Sequence, residues 1–198
     1  QVVGFTGRIL TDDKNAPKYL NTPQTLLYDK GQMLYGWHLA KDAIRKQGQV
    51  IAVEGNLDVV TAHQAGFKNV VAVAGTALTL SHMKTLKRLS EEVLFAFDSD
   101  AAGLKATERA INLSQGLDIT LKIIEMPEGQ DPDDLIKSNP DDWRKAVSEA
   151  KPAMDWLIKF LTTQYDVSSA SGKRGYRNRL MQILKAFADP VEKDHYVK

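Results

Sequence analysis

Cysteine is absent from the chain, which excludes a disulfide framework and any thiolate zinc site. That absence fits a reducing cytoplasm without requiring one. No apolar run approaches the roughly 18 residues that a membrane span needs, and the opening "QVVGFTGRIL" has no basic region followed by a long apolar stretch. Neither a span nor a secretory leader is expected, and the chain reads as a soluble protein with no membrane partner. A Walker A loop and a G-x-S-x-G elbow are both missing, so P-loop NTPase and α/β-hydrolase chemistry are set aside. The four histidines, His38, His63, His82 and His195, fall at no metal-ligand spacing. There is also no initial methionine: the chain opens on Gln1, and a fragment or a processed product is expected.

What is present is a chain of 198 residues, 43% hydrophobic, long enough to bury a core and carry a smaller appendage. The net charge of +1 hides a pattern. Residues 1–50 hold 7 Lys and Arg against 4 Asp and Glu, whereas residues 101–150 hold 6 against 10 and residues 151–198 hold 9 against 5. An acidic middle between basic ends suits either ordinary surface variation or a carboxylate site for cations flanked by surfaces for polyanions.

The middle of the chain is regular. "QVIAVE", "KNVVAVAG", "EEVLFAFD" and "LDITLKIIEM" are short apolar runs separated by helix-compatible segments of 10 to 16 residues. Such alternation indicates β-α units and a mostly parallel sheet covered on both faces, so residues 49–127 are expected to form one α/β domain. Thr79 and Ser81 are candidate helix caps before Met83, Leu86 and Leu89. Beyond "MPEGQDPDD" the pattern turns helical, and residues 128–198 are expected to carry an acidic motif and a helical subdomain. Ala153, Trp156, Leu157 and Phe160 form one apolar face, and Leu180, Ile183, Leu184 and Phe187 another. Residues 1–48 read as the end of a separate N-terminal unit: a strand in "VVGFTGRIL", a turn-rich loop, and a helix in "GQMLYGWHLAKDAIRKQG" ended by Gly48.

In an open parallel sheet, ligands sit beyond the carboxyl ends of the strands, where strand order reverses. The acids fall there. Glu54 ends the first run, Asp98 and Asp100 end the third, and Asp131, Asp133 and Asp134 follow the fourth. With strand order 2-1-3-4, runs one, three and four are neighbours, and adjacent strands lie about 4.8 Å apart. Clustered carboxylates resist joint ionisation unless a cation joins them. All-oxygen ligands favour Mg²⁺ or Mn²⁺, which keep positions open for phosphate oxygens. Phosphoryl or nucleotidyl chemistry with two metals is the reaction class this implies. The plainer alternative for any one of these acids is a helix N-cap, for instance Asp100 before "AAGLKA".

"VEGNLDVV" (53–60) and "FDSDAAGLKA" (97–106) resemble the Toprim signature, an EG-x-x-D block followed by D-x-D at strand ends. The flanks "PKYLNTPQTLLYDKG" (17–31), "GTALT" (75–79), "PEGQDPDDLI" (127–136) and "DPVEKDHYVK" (189–198) extend the resemblance to the bacterial DnaG-type DNA primases over essentially the whole chain. The resemblance implies a Toprim-type α/β fold with a remnant of an N-terminal α+β subdomain and a C-terminal helical bundle. It assigns Glu54 as general base or metal ligand, Asp98, Asp100, Asp131 and Asp133 as metal ligands, and Asp58 as a supporting acid. Arg8, Lys18, Tyr19, Asn21 and Lys30 would line the nucleotide and template groove. Two positions depart from the family pattern: Ser99 stands where glycine is usual between the paired aspartates, and Asn56 where an aromatic is usual.

The implied activity is DNA-templated synthesis of short RNA primers, with nucleoside triphosphates as substrates, single-stranded DNA as template and two or more Mg²⁺ or Mn²⁺ ions. The zinc site of a complete primase cannot lie here. Replicative helicase and single-strand binding protein are expected to bind through regions outside this chain, alarmone nucleotides are among the expected ligands, and the location is the bacterial cytoplasm at the nucleoid. Two competing readings are another Toprim enzyme, topoisomerase or nuclease, and a metal- and nucleotide-binding module without catalysis. "SGKRGYRNR" (171–179) could touch single strands through its cations and Tyr176, against the plainer reading of a solvated loop and helix start.

Overall fold

The computed structural model describes residues 2–9, 19–73, 75–97 and 101–197, with the side chains of Arg8, Tyr19, Ala101 and Ala102 left undescribed. The four apolar runs become β3 (Gln49–Val53), β4 (Val70–Ala72), β5 (Glu92–Phe95) and β6 (Thr120–Ile123), after a short hairpin of β1 (Thr6–Arg8) and β2 (Tyr19–Asn21). Between the runs lie α2 (Asn56–Gln64), α3 (Leu80–Lys87) and α4 (Ala101–Ser114), and α1 (Trp37–Gln47) precedes β3. The sheet order is β4-β3-β5-β6, all parallel, which is the 2-1-3-4 order that the strand-end argument supposes. A fifth strand, β7 (Lys151–Pro152), closes the far edge antiparallel to β6. Two residues carry no hydrophobic period, and proline suits an edge because it has no ladder hydrogen to lose, so nothing in "KPAMDW" announced this strand.

Side chains alternate along each strand, which sorts the core into two layers. Val50, Ala52, Val93, Phe95 and Ile123 pack with Ile44 of α1, Met83 and Leu86 of α3, and Ala110 of α4. Ile51, Val53, Val70 and Leu94 pack on the other side with Val59 and Ala62 of α2. That layer also holds Leu135 and Ile136 of α5 (Pro132–Ser138) and Trp143 of α6 (Pro140–Ser148). Both faces are covered, which is why the strands read as unbroken apolar runs. Each large side chain buried this fully contributes about 1.5–3 kcal/mol from removal of apolar surface.

The C-terminal helices α7 (Ala153–Gln164), α8 (Ala170–Leu184) and α9 (Pro190–Val197) follow β7. Ala153, Trp156, Leu157, Leu161, Ile183, Leu184 and Phe187 all enter the first core layer. Of the expected apolar faces, Phe160 and Leu180 are only partly buried against it, and α9 buries no residue. At the N-terminal side, α1 begins at Trp37 rather than within "GQML" and ends where Gly48, at φ 66°, donates its N–H to the Ile44 carbonyl. A β-bridge between Tyr35 and Ala72 fastens the preceding segment to the sheet. Among the described residues, no helix is long and apolar enough to cross a membrane.

Candidate metal and nucleotide site

β3 ends at Val53, and the next residues, Glu54 and Gly55, lead into the first turn of α2. Asp58 lies three residues into that helix and is 8% exposed. Its Oδ2 accepts the Gly55 N–H at 3.0 Å and its Oδ1 accepts the Asp133 N–H at 3.2 Å. One buried carboxylate therefore ties the end of β3 to the start of α5, 75 residues away in sequence. Burial pushes the Asp58 carboxyl up to about 7, reinforced by the charges of Asp131 and Asp133 and opposed by the two N–H donors.

The turn that Asp58 holds carries the second group of acids. Asp131 is the N-cap of α5, accepting the Asp134 N–H at 2.8 Å, and Pro132 occupies the first helical position, where its missing N–H costs nothing. Asp133 accepts a hydrogen bond from the Thr61 hydroxyl on α2 and pairs with Lys137 at 2.5 Å. Carboxylate oxygens of Asp131, Asp133 and Asp134 lie within 4.8 Å of one another, and Asp131 and Asp134 are exposed. Three carboxylates at that separation, all offering hard oxygen ligands and one stretch open to solvent, fit a divalent cation.

Glu54 is exposed beside a cavity of about 570 Å³ lined by Val73, Leu78, Phe97, Lys105 and Arg109. The Arg109 Nε donates to the Leu78 carbonyl, fastening the loop 75–79 to α4. Lys105 and Arg109, one turn apart on α4, line this mostly apolar cavity together with the Glu54 carboxylate, so its wall carries charge of both signs.

The basic segment reaches the same loop from the N-terminal side. Asn21 lies against Gly75: a Cβ on that glycine would stand 2.5 Å from Asn21 Nδ2, and Gly75 sits at φ +70°. Only glycine meets both demands without strain. Thr6 Oγ1 donates to Asn21 Oδ1 at 2.5 Å, orienting the amide. Lys30 is half-buried on a turn held to the start of α3 by hydrogen bonds from Thr79 and His82.

Of the residues expected to act, the fold thus joins Asp58, Asp131 and Asp133 at one brace, sets Glu54 next to that brace along the chain, and brings Asn21 and Lys30 to the loop 75–79. Asp98, Asp100 and Lys18 lie outside the described residues, as does Ser99, and for Arg8 and Tyr19 only a place in the β1–β2 hairpin is given. Asn56 opens α2, and its Oδ1 is shut off from solvent with no partner among the described residues. The cations of "SGKRGYRNR" fall on the first turns of α8. Arg179 pairs there with Glu108 of α4, while Lys173, Arg174 and Arg177 are exposed.

Comparison with known proteins covers the chain nearly end to end. Three family models match in order: the N-terminal domain of the DNA primase catalytic core over residues 1–41, a Toprim-like model over 51–136, and the DnaB-helicase binding domain of primase over 154–198. A DNA primase of Clostridium acetobutylicum is 38% identical over 200 residues, which span 100% of this chain and 33% of that protein. The RNA polymerase domain of Mycobacterium tuberculosis primase DnaG matches with a TM-score of 0.87 and 33% identity, over 100% of this chain and 65% of that one. The chain belongs to the bacterial DnaG-type primases.

A further primase structure, a DnaG catalytic domain bound to ssDNA, matches with a TM-score of 0.81 and 29% identity, over 98% of this chain and 62% of that one. The chain spans about a third of the length of the curated primases it matches. One expectation changes with these matches: helicase contact was placed outside the chain, yet the helicase-binding model falls on α7, α8 and α9 inside it. Four residues that the motifs do not single out also hold these groups: Thr61 and Lys137 contact Asp133, His82 the Lys30 turn and Arg109 the loop 75–79. A weak signal existed for two of them, since Thr61 follows Asp58 by three residues and Lys137 follows Asp133 by four, spacings that share a helix face.

Proposed function

We propose that this chain is the metal-binding part of a primase catalytic core and takes part in DNA-templated synthesis of short RNA primers by nucleotidyl transfer. The observation that carries the reading is the Asp58 brace. It holds the acidic turn of Asp131, Asp133 and Asp134 against the first turn of α2, beside Glu54 at the carboxyl end of β3. A primase needs carboxylates gathered at that edge, and burying an acid to gather them is costly unless the gathering serves a purpose.

Glu54, Asp98, Asp100, Asp131 and Asp133 would hold the divalent ions. The chemistry Mg²⁺ or Mn²⁺ supplies at such a site is neutralisation of triphosphate charge and polarisation of the reacting phosphate. Glu54, exposed beside the cavity, either completes the ligand set or takes the proton of the attacking 3′-hydroxyl. Lys30 and Lys18 supply positive charge to the triphosphate and template backbone, and Arg8, Tyr19 and Asn21 continue that surface. Nucleoside triphosphates and single-stranded DNA are then the substrates, and alarmone nucleotides would compete through the same phosphate contacts. The match of residues 154–198 supports α7–α9 as a contact for the replicative helicase, in the bacterial cytoplasm at replicating DNA.

The test is Mn²⁺-dependent nucleotide binding and primer synthesis on single-stranded DNA, with and without Asp98→Ala. Loss of both is expected. Unchanged metal-dependent nucleotide binding in the variant would place the site elsewhere.

A further inference from the structure

His82 is completely buried, and the nucleotidyl-transfer reading gives it no task. α3 sets its place. Thr79 is the N-cap, and His82 stands three residues later, where a side chain can reach back to the cap. The Thr79 N–H donates to His82 Nδ1 at 3.3 Å, so Nδ1 is unprotonated. Nε2 lies 2.9 Å from the Lys30 carbonyl oxygen, which can only accept, so Nε2 carries the hydrogen. One neutral tautomer satisfies both contacts. Burial holds the imidazole below its ordinary pKa and so preserves that neutral form, against the opposing pull of the Lys30 and Met33 backbone and of Asp29.

The neighbouring carbonyl is held as well. Thr79 Oγ1 accepts the His82 N–H at 3.1 Å and donates to the Gly31 carbonyl at 2.5 Å. Two successive carbonyls, those of Lys30 and Gly31, are thus fastened to the first turn of a helix about 50 residues further along. The turn is also stiffened from within. Asp29 accepts the Gly31 N–H at 2.8 Å and the Gln32 side-chain amide at 2.7 Å, and its carbonyl receives the N–H groups of Gln32 and Met33. Lys30 as a residue is half-buried, and among the described residues no salt bridge joins it to a carboxylate.

We infer that His82 is a positioning residue: with Thr79 it locks the Lys30 turn onto α3, so that the Lys30 ammonium is already in place for the triphosphate of an incoming nucleotide. The inference rests on the reading of Lys30 as a nucleotide-binding residue. It also explains the residue type. Holding the turn requires an acceptor aimed back at the cap and a donor aimed forward at a carbonyl, fixed at one separation on a rigid frame, which a neutral imidazole provides. Holding the turn in advance removes the ordering cost that a mobile lysine would bring to binding.

The experiment is steady-state primer synthesis on single-stranded DNA by the intact protein, varying nucleoside triphosphate, for wild type, His82→Leu, His82→Gln and Lys30→Ala. Leucine fills the space but makes neither hydrogen bond. Glutamine offers an amide oxygen and N–H on one carbon and can serve both. His82→Leu is expected to raise KM for nucleotide roughly 5- to 10-fold with kcat within about twofold, the size of one lost hydrogen bond of positioning. His82→Gln should recover most of that loss. An unchanged KM in His82→Leu, or a glutamine variant no better than leucine, overturns the inference. Should Lys30→Ala leave KM unchanged, the reading of Lys30 itself falls; should it raise KM while His82→Leu does not, only the positioning role falls. The ¹⁵N shifts of the His82 ring in the wild-type protein decide the tautomer even if the leucine variant folds poorly, and a protonated Nδ1 at neutral pH overturns the arrangement.

Discussion

Asp58 and Lys30 belong to opposite faces of the sheet, and they are held there by different means. Asp58 sits on α2 above a layer that includes Ile51, Val53, Leu94 and Trp143, all at or near complete burial. Lys30 sits on a turn whose neighbourhood is open: Leu20 is 72% exposed, Leu26 106% and Leu27 70%. The acidic side inherits its rigidity from the core, so displacing it means disturbing the domain. The basic side hangs on the hydrogen bonds from Thr79 and His82 to the Gly31 and Lys30 carbonyls and on the Tyr35–Ala72 bridge, each hydrogen bond worth about 1 kcal/mol net. Regions with few apolar contacts open at lower free energy than the core they border. On the proposed function, a site that must admit a new nucleotide at each step has reason to keep its metal side fixed and its phosphate-gripping side separable.

Removing Asp58 would break the rigid side most directly. Asp58→Ala orphans the Gly55 and Asp133 N–H groups, one of them at the start of α5, and is expected to cost about 2–3 kcal/mol. Urea denaturation measures that loss, and Mn²⁺ titration of the still-folded variant should show weaker binding as the acidic turn loosens. If stability falls but Mn²⁺ affinity does not, the brace is structural only and the comparison loses its functional half.

The same difference in support explains what could be read without a structure. The four strands were legible because burial on both faces leaves a continuous apolar signature, whereas their order was a supposition that crossover handedness permits and does not fix. From that order the acids could be assigned to the carboxyl edge. Asp58 was named, but its double acceptor role was not visible, because the Asp133 N–H comes to it through α2–α5 packing across 75 residues. The Thr61–Asp133 contact was hidden for the same reason, whereas Lys137 lies one turn from Asp133 on α5 and left a local signal in the spacing. The Lys30 turn was recognisable only by resemblance: nothing in "LLYDKGQM" states that its carbonyls meet a histidine 52 residues later. Asp98 and Asp100, which the strand-end argument weighted most, fall outside the described residues, so their convergence with Glu54 rests on topology and family.

Gly75 offers a way to disturb the separable side alone. At φ +70°, with Asn21 Nδ2 at 2.5 Å from the would-be Cβ, alanine is strained by its backbone and pushes the hairpin away. Gly75→Ala should cost about 1–2 kcal/mol, less than the loss of Asp58. Limited proteolysis should then cut the segment before α1 faster while the sheet's hydrogen-exchange protection stays as it was. Equal loss of protection in both regions would show that they are one cooperative unit.

The smallest effect concerns pH, and it separates the two sides without any steric change. His82 in the folded protein titrates below the ordinary histidine value, because burial penalises its charged form. The unfolded chain therefore takes up a proton first as pH falls, and the stability His82 contributes is present above about pH 6.5 and lost progressively below it. Protonation at Nδ1 would also set a hydrogen against the Thr79 N–H, so the same proton that destabilises the fold releases the Lys30 turn. His63 is shifted the same way by burial and adds to the acid loss of stability, but its ring nitrogen bonds the Val70 carbonyl and not the turn. His82→Gln should accordingly flatten the decline in Tm between pH 7 and about pH 5.5 only in part. Over the same range, amide exchange at Gly31 and Gln32 should rise in the wild type and stay level in the variant. A rise of equal size in both would mean that the turn opens for reasons unrelated to His82, and that its attachment to α3 is not what limits its motion.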